Sequence, residues 1–263
     1  MLVDSHCHLD LIKNSNPDTL VAAAEAQGIS HFLSVAIDLD HFPTLLGIAK
    51  HHDNVFASCG VHPNTSLEVA VEVQTLVLMA DDPRVIAIGE TGLDYFRSTQ
   101  GNLASQQQRF RTHIQAAKET GKPLIIHSRD AAFDTLRILR EENAAAVGGV
   151  MHCFVEDWDI AQQAMEMGFY ISFSGIVTFK NAKTLQAVAK QVPRERMLVE
   201  TDAPYLAPVP YRGKTNQPAY VRHVAEFIAN LREDTFETIA CATTKNFFRL
   251  FSAATAISVN SYQ

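Results

Sequence analysis

Short runs of apolar and β-branched residues alternate with segments of helical periodicity along almost the whole chain of 263 residues. Eight of these runs are predicted to be strands, at residues 2–4, 31–37, 55–61, 85–90, 123–127, 147–153, 169–175 and 197–202. Amphipathic stretches such as PDTLVAAAEAQG and QQQRFRTHIQAAKETG lie between them, and several end in a glycine typical of helix C-termini (Gly28, Gly121, Gly168). Strands separated by helices pair in parallel, and eight such strands close a barrel. The pattern therefore predicts an α/β protein with a single (β/α)8 TIM-barrel domain.

An open, doubly wound sheet is the alternative to the barrel, but no GxGxxG motif follows the first predicted strand. Nothing in the chain marks a second domain, an internal repeat or a low-complexity linker. We expect the barrel to span residues 1–251. The last stretch, SAATAISVNSYQ at 252–263, has weak periodicity and is expected to be a flexible C-terminal tail.

The composition is that of a soluble globular protein, with 47% apolar and 19% charged residues. No apolar run approaches the roughly 20 residues of a membrane span, and no basic and apolar leader opens the chain. The four cysteines are scattered, as is typical of reduced thiols, so we expect a cytoplasmic monomer without membrane contact. A formal net charge of -7 disfavours general attraction of polyanions, so any nucleic-acid binding must depend on local contacts.

Ionisable residues end the predicted strands one after another, at the edge where barrels carry their chemistry. Alternate residues of a strand share a face, so His6 and His8 of the opening MLVDSHCHLD point the same way. Later strand ends add His62, Glu90, His127, His152 and Asp202. A lone histidine at such a position is more often structural than a ligand. Convergence of five histidines and two carboxylates is costly unless a cation offsets it, so the pattern predicts a metal site at the C-terminal ends of the strands.

The number of ligands predicts two divalent ions rather than one. Four imidazoles and two carboxylates (His6, His8, His127, His152, Glu90 and Asp202) exceed what one tetrahedral centre uses. Glu90 lies on the fourth strand, between the first-strand pair and the histidines of strands five and six. It is therefore placed to bridge ions about 3.5–4 Å apart. Imidazole-rich ligation favours zinc, manganese or iron by affinity and leaves magnesium open.

Other polar residues have two interpretations each. Asp4 and Glu200 lie two positions before His6 and Asp202, so each either orients a ligand histidine or forms half of a buried polar pair. Asp94 is expected to hold its own loop together. Cys7 and Cys153 adjoin ligands but face the other way, as packing residues. The remaining histidines are expected on the solvated surface: His31, His41, His51, His52, His113 and His223.

The motifs HxH, GVHP, GETGLDY, PLIIHSRDA, MHCF and ETDAPYL, in this order, resemble the TatD-type metal-dependent hydrolases, which are amidohydrolase-like TIM barrels. The resemblance runs from about residue 2 to 251. It implies metal binding by the six residues already named and a Mg- or Mn-dependent deoxyribonuclease that acts on DNA ends. The segment PYRGKTNQPAYV also resembles a family motif, through Arg212, Lys214 and Asn216. One stretch departs from the family pattern, since His62-Pro63-Asn64 differs from what many members show at and after GVHP. On the fourth strand, Glu90 occupies the position at which carbamylated barrel hydrolases use a lysine, which argues against a hydrolase of that kind.

The predicted function is a metal-dependent hydrolase, a phosphodiesterase that acts on DNA or nucleotide substrates, with single-stranded ends preferred. Two ions (Mg, Mn or Zn) would generate a hydroxide from bound water, with Glu90 and Asp202 as catalytic residues and Asp202 as the base. His62 and Arg129 are predicted to bind substrate phosphate. A surface salt bridge to Asp130 or Asp134 is the alternative for Arg129. Hydrolysis of a small ester or amide is the alternative function, and the complete ligand set argues against a non-catalytic metal scaffold.

Overall fold

The computed structural model describes residues 1–66, 70–97 and 102–255. Its strands are β1 (Leu2–Cys7), β2 (Ile29–Ser34), β3 (Val55–Cys59), β4 (Val85–Asp94), β5 (Leu124–Arg129), β6 (Gly149–Met151), β7 (Tyr170–Phe173) and β8 (Met197–Val199). Its α-helices are α1 (Pro17–Glu25), α2 (Phe42–His51), α3 (Val73–Ala80), α4 (Leu103–Thr120), α5 (Ala132–Glu141), α6 (Trp158–Glu166), α7 (Lys183–Gln191), α8 (Val221–Arg232) and α9 (Phe236–Leu250). Within this part of the chain, no helix is both long enough and apolar enough to cross a bilayer.

The strands form one parallel sheet in the order β1 to β8, and each pairs with the next along the chain. The two ends of the sheet meet. The backbone N–H of Asp202 donates to the carbonyl of His6 at 2.9 Å, and that of His8 donates to the carbonyl of Ala203 at 2.8 Å. These bonds close the sheet, and the predicted (β/α)8 barrel is confirmed.

The barrel interior is packed mainly with apolar side chains. One buried cluster draws a residue from each of the eight strands and is completed by the C-terminal region. It comprises Val3, Leu33, Val35, Phe56, Ile86, Ala87, Ile125, Val150, Tyr170, Leu198, Phe247, Phe251 and Ala254. Because the amide of Asn246 donates to the carbonyl of Met197, at the first residue of β8, helix α9 covers the N-terminal end of the barrel. A larger cluster packs the outer faces of the strands against the helices.

The C-terminal boundary differs from the prediction. Residues 252–255, which were expected to begin a flexible tail, are helical, and Ala254 is fully buried in the interior cluster. The packed structure therefore extends past residue 251, because these residues continue the C-terminal region that covers the N-terminal end of the barrel. The rest of the predicted tail, 256–263, lies outside the described residues.

Strand β1 departs from simple alternation. Its pairing with β2 shifts register between Asp4 and Cys7, as a β-bulge does. Ser5 therefore points into the barrel, where its hydroxyl lies 3.3 Å from that of Ser172 on β7. Asp4 turns to the seam and accepts bonds from the backbone N–H and the hydroxyl of Thr201 at 2.9 and 2.6 Å. Asp4 is thus part of a buried polar pair that ties β1 to the segment after β8, and it does not orient a ligand histidine ring.

Candidate metal centre

Every residue predicted to bind metal lies at the C-terminal end of the barrel. His6 and His8 come from the end of β1, Glu90 from β4 and His127 from β5. His152 directly follows β6, and His62 and Asp202 each lie three residues beyond a strand. The structure brings these seven residues into one cluster, in which contacting nitrogen and oxygen atoms lie 2.8–3.9 Å apart.

Two glycines allow β4 to approach its neighbours closely enough to form this cluster. A Cβ on Gly60 would lie 2.5 Å from the backbone of Gly89, and one on Gly92 would lie 2.0 Å from the carbonyl oxygen of His127. Gly92 also has a φ of +136°, which L-residues with side chains rarely adopt. The GETG motif is therefore a packing requirement of the strand that carries Glu90.

Glu90 stands at the centre of the cluster, and its two oxygens face different histidines. Oε1 lies 2.9 Å from Nδ1 of His127 and 2.8 Å from Nε2 of His152. Oε2 lies 3.5 Å from Nε2 of His6 and 3.9 Å from Nε2 of His8. One carboxylate thus connects the first-strand histidines to those of strands five and six.

Asp202 flanks the first-strand pair from the side of the seam. Its Oδ1 lies 3.6 Å from Nε2 of His6 and 3.4 Å from Nε2 of His8. The side chain of Asp202 is 13% exposed, against 4% for Glu90. Of these two carboxylates, Asp202 is therefore the one that reaches solvent, and an incoming molecule meets it first.

Three of the histidines are held by partners outside the cluster. Nδ1 of His8 lies 2.8 Å from the carbonyl oxygen of Val35, and Nδ1 of His152 lies 3.1 Å from Oε1 of Glu200. Nε2 of His127 lies 3.3 Å from Oδ2 of Asp94. In a neutral ring each outer nitrogen donates its hydrogen to that acceptor, which leaves the inner nitrogen as a lone pair directed into the cluster. These inner lone pairs next to the carboxylate oxygens of Glu90 are atoms of the kind that bind a divalent cation, and they could hold one here.

The charges in the metal-free protein agree with this interpretation. Burial opposes ionisation of Glu90, but the surrounding histidines outweigh burial and hold its pKa well below the usual range. Burial likewise opposes charge on His8 and His152, but the neighbouring carboxylates raise the pKa of His8 to about 9 and that of His152 well above its usual range. Protons thus balance the carboxylates, and a bound cation would replace these protons.

His62 lies within the same cluster rather than outside it. Its Nε2 is 3.5 Å from Oε1 of Glu90, and its ring centroid is 4.4 Å from that of His127. Burial lowers the pKa of His62 to about 4, so the ring is neutral. Its Nδ1 accepts a bond from the backbone N–H of Asn64 at 3.1 Å, so its hydrogen is on Nε2, the nitrogen that faces Glu90. The contact with substrate phosphate that was predicted for His62 stays a prediction.

Sequence reasoning missed the helix residues that hold the His62 loop. The guanidinium of Arg109 donates to the carbonyls of His62 and Thr65 at 2.9 and 2.8 Å. His113, one turn further along α4, accepts a bond from the backbone N–H of Val61 at 2.9 Å. The prediction of His113 at the surface is wrong, because its ring is fully buried against this loop. Arg109 and His113 lie four residues apart on one helix, and this spacing was the signal that could have indicated a shared contact.

Asp94 and Glu200 support the cluster from outside. Asp94 holds its own loop, as predicted, by accepting bonds from the backbone N–H of Arg97 at 3.1 Å and the amide of Asn64 at 2.6 Å. It also touches His127, a contact that its position on the same strand face as Glu90 could have indicated. Glu200 orients His152 and accepts a bond from the backbone N–H of Cys153 at 2.7 Å.

Arg129 occupies a different environment from the surface salt bridge considered above. Its guanidinium lies over the ring of Phe96, 3.9 Å from the centroid. In the stretches 1–66, 70–97 and 102–255, no ion pair joins Arg129 to a carboxylate. Asp134 binds Tyr95 and Arg137 instead. The phosphate contact predicted for Arg129 stays a prediction, and the side chain is placed at the rim of the site.

The segment PYRGKTNQPAYV lies after β8. The amide of Asn216 donates to the carbonyls of Thr201 and Tyr205 at 2.8 and 2.6 Å, so Asn216 fixes the loop that carries Asp202. Arg212 lies over the ring of Phe179, 4.4 Å from its centroid. The motif therefore supports the metal centre through the backbone that surrounds Asp202.

Comparison with known proteins places these features in a family. The family model described as TatD related DNase matches residues 3–252. The chain is 48% identical over 254 residues to the "Uncharacterized metal-dependent hydrolase YcfH" of Escherichia coli strain K12, with 95% of each chain covered. It is 32% identical over 240 residues to the "3'-5' ssDNA/RNA exonuclease TatD" of Citrobacter rodentium, which covers 89% of this chain and 91% of that one. The solved structure of YJJV, a TATD homolog from Escherichia coli K12, superposes with a TM-score of 0.87 at 25% identity, covering 95% and 98% of the two chains. The chain belongs to the TatD related DNase family and is a metal-dependent hydrolase.

Proposed function

We propose that the protein is a metal-dependent phosphodiesterase that degrades single-stranded nucleic acid from an end, with two divalent ions bridged by Glu90. The observation that carries this proposal is the division of the histidines between the two oxygens of Glu90, with distances of 2.8 and 2.9 Å on one side and 3.5 and 3.9 Å on the other. A single tetrahedral ion would leave several of these donors unused.

The proposed ligands form two sets that share one residue. His6, His8 and Asp202 would hold one ion together with Glu90, and His127 and His152 would hold the other, again with Glu90. Magnesium, manganese and zinc are the candidate metals. When bound, the ions lower the pKa of a coordinated water and neutralise charge on the phosphoryl oxygens.

Asp202 is the proposed base. Burial opposes its ionisation, but the bond with His8 and the charges of His6 and His152 lower its pKa, so the carboxylate is ionised at neutral pH. Its partial exposure lets it take a proton from an attacking water at the mouth of the site. Bonds through Asn216 and the seam fix the backbone around Asp202, so the residue keeps its position beside His6 and His8.

The depth of the site supports action on ends. Glu90 and both first-strand histidines are almost fully buried, so a phosphodiester must descend into the mouth to reach them. A strand end can do this, whereas the middle of a stiff duplex cannot. The Citrobacter rodentium relative, named as a 3'-5' ssDNA/RNA exonuclease, supports the same substrate class. Arg129 and His62 are proposed to hold the phosphate at the rim.

Degradation of end-labelled single-stranded DNA, with Mg, Mn or Zn against EDTA, tests the proposal. We expect cleavage from one end with metal and none with EDTA. The variant Asp202→Asn should retain much of its metal and lose about 10²–10⁴-fold in kcat, as is typical of general acid–base groups. Asp81→Asn, an exposed carboxylate on the outer surface, serves as the matched control. Full activity of Asp202→Asn, or turnover of small esters or amides without any cleavage of nucleic acid, would overturn it.

A further inference from the structure

The exposed aromatic side chains of the described residues gather at the mouth of the barrel. Phe96, Phe133 and Tyr205 are 61%, 80% and 53% exposed. Phe96 follows β4, Phe133 lies in the first turn of α5 after β5, and Tyr205 follows β8. All three therefore lie at the end that holds the metal centre. Exposed apolar side chains that lie close together often mark a binding surface, whereas apolar residues that are exposed singly do not.

Tyr205 stands directly beside the first-strand side of the centre. Its ring packs edge-on against His8, with centroids 6.2 Å apart and planes at 70°. The loop that carries Tyr205 is rigidly held, because its carbonyl accepts the amide of Asn216 at 2.6 Å and its backbone N–H donates to the carbonyl of Asp202 at 2.8 Å. The ring is thus a fixed wall whose outer part faces solvent.

Phe96 forms a wall on the opposite side. It follows β4, and the guanidinium of Arg129 at the end of β5 covers one of its faces, 3.9 Å from the centroid. In an eight-stranded barrel the seam between β4 and β5 lies across from the seam between β8 and β1. The metal centre therefore lies between Phe96 and Tyr205.

Positive charge accompanies these rings although the chain as a whole carries -7. Arg97 is exposed next to Phe96, just beyond the end of β4. Arg129, stacked on Phe96, has no carboxylate ion pair within the described stretches of chain. Two aromatic walls, beside guanidinium groups that form no ion pair with a carboxylate of the described residues, complement a ligand that has both flat apolar faces and negative charge.

We propose that Phe96, backed by Arg129, and Tyr205 are base-stacking walls that bind the nucleotides on either side of the scissile phosphate of a single-stranded nucleic acid. This inference rests on the proposed function and names how its substrate is held. Stacking on aromatic rings tolerates any base, because every base has a π-face. In a duplex those faces are already stacked, so the two walls select single strands.

The test measures binding of a non-cleavable, fluorescein-labelled phosphorothioate oligothymidylate by anisotropy to the metal-loaded protein. Phe96→Ala and Tyr205→Ala should each weaken binding by about 5- to 150-fold, the range known for one stacked base. Tyr205→Phe keeps the ring and should bind like the wild type. Leu78→Ala removes an exposed apolar side chain of α3, away from the mouth, and is the control for surface apolarity.

An abasic oligonucleotide of the same length separates stacking from phosphate binding. Wild type, Phe96→Ala and Tyr205→Ala should bind it equally, because it offers phosphates without bases. Equal losses on both probes, or unchanged binding of oligothymidylate by both variants, would overturn the stacking walls. Cleavage of single-stranded DNA by the wild type with no effect of either substitution leaves the proposed function intact and rejects this inference alone. A wild type that neither binds nor cleaves the oligonucleotide rejects both.

Discussion

Glu90 is the residue on which the two-ion proposal depends, since each of its oxygens faces a different group of histidines. Glu90→Ala should therefore remove both ions, and elemental analysis of the purified variant should find almost none. His6→Ala should mainly lose the ion on the β1 side, and His152→Ala mainly the other. Each of these two variants should retain about one ion, against about two in the wild type.

Glu195→Ala is the control for these measurements, because Glu195 is an exposed glutamate outside the cluster. Full occupancy of both ions in Glu90→Ala would remove the bridge from the proposal. Loss of both ions in His6→Ala and in His152→Ala alike would indicate that the two sets of ligands bind as one unit.

Metal binding should depend on pH through the histidines of the cluster. Glu90 and Asp202 outweigh burial and raise the pKa of His8 to about 9 in the metal-free protein, so the ring is protonated at pH 7. A cation needs the unprotonated nitrogen, and the proton must leave on binding. Affinity should therefore fall as pH falls below 9, by up to tenfold per pH unit for each proton released.

Calorimetric titration with Mn in buffers of different ionisation enthalpy measures the number of protons released. We expect at least one at pH 7, and fewer in His8→Ala. Affinity independent of pH between 6 and 8 would contradict the protonated state of the cluster.

At the scale of elements, the sequence predicted the strands well because two periodicities are visible in it. Alternation placed His6 with His8, and apolar runs located the strands that end near His127 and His152. It could not predict the bulge in β1, because a register shift depends on the partner strand. The sequence therefore left both roles of Asp4 open, and only the structure shows that it forms a buried polar pair.

The sequence also could not predict which helix covers the N-terminal end of the barrel. Helix α9 has the periodicity of any amphipathic helix, and nothing in the sequence distinguishes a helix that covers the barrel from one that surrounds it. The burial of His113 has the same cause, since its contact with Val61 joins residues 52 positions apart.

Helix α9 should contribute strongly to stability through Phe247. This ring is fully buried in the interior cluster that all eight strands share. Phe247→Ala should reduce the free energy of unfolding by about 3–5 kcal/mol, the usual effect of removing a buried phenyl group. Arg249→Ala, an exposed position on the same helix, should change it by no more than about 0.5 kcal/mol. Urea titration measures both, and a cost below about 1 kcal/mol for Phe247→Ala would show that α9 does not close the core.

At the scale of the whole molecule, the barrel gathers donors from positions 6 to 202 of the chain into one centre. Two of them come from the end of β1 and one each from β3, β4, β5, β6 and β8 or the residues just after them, and the backbone bonds at the seam fix the first and last of these residues relative to each other. The metal centre is thus a property of the closed barrel rather than of any one segment. The chain as a whole carries a net charge of -7, so the positive charge of Arg97 and Arg129 is a local feature of an acidic protein.

This charge distribution predicts a weak dependence of nucleic-acid binding on salt. With a net charge of -7, only local cations such as Arg97 and Arg129 neutralise phosphates. For about two phosphates on a single strand, log Kobs should fall against log salt with a slope of about -1.4, and Arg129→Ala should reduce that slope by about 0.7. Anisotropy with a non-cleavable oligonucleotide at several KCl concentrations, in the presence of metal, measures it. Closed circular duplex should resist cleavage, since it offers no end to enter the mouth. A slope steeper than about -4, or rapid cutting of the closed circle, would mean that the protein binds along the nucleic acid over many phosphates.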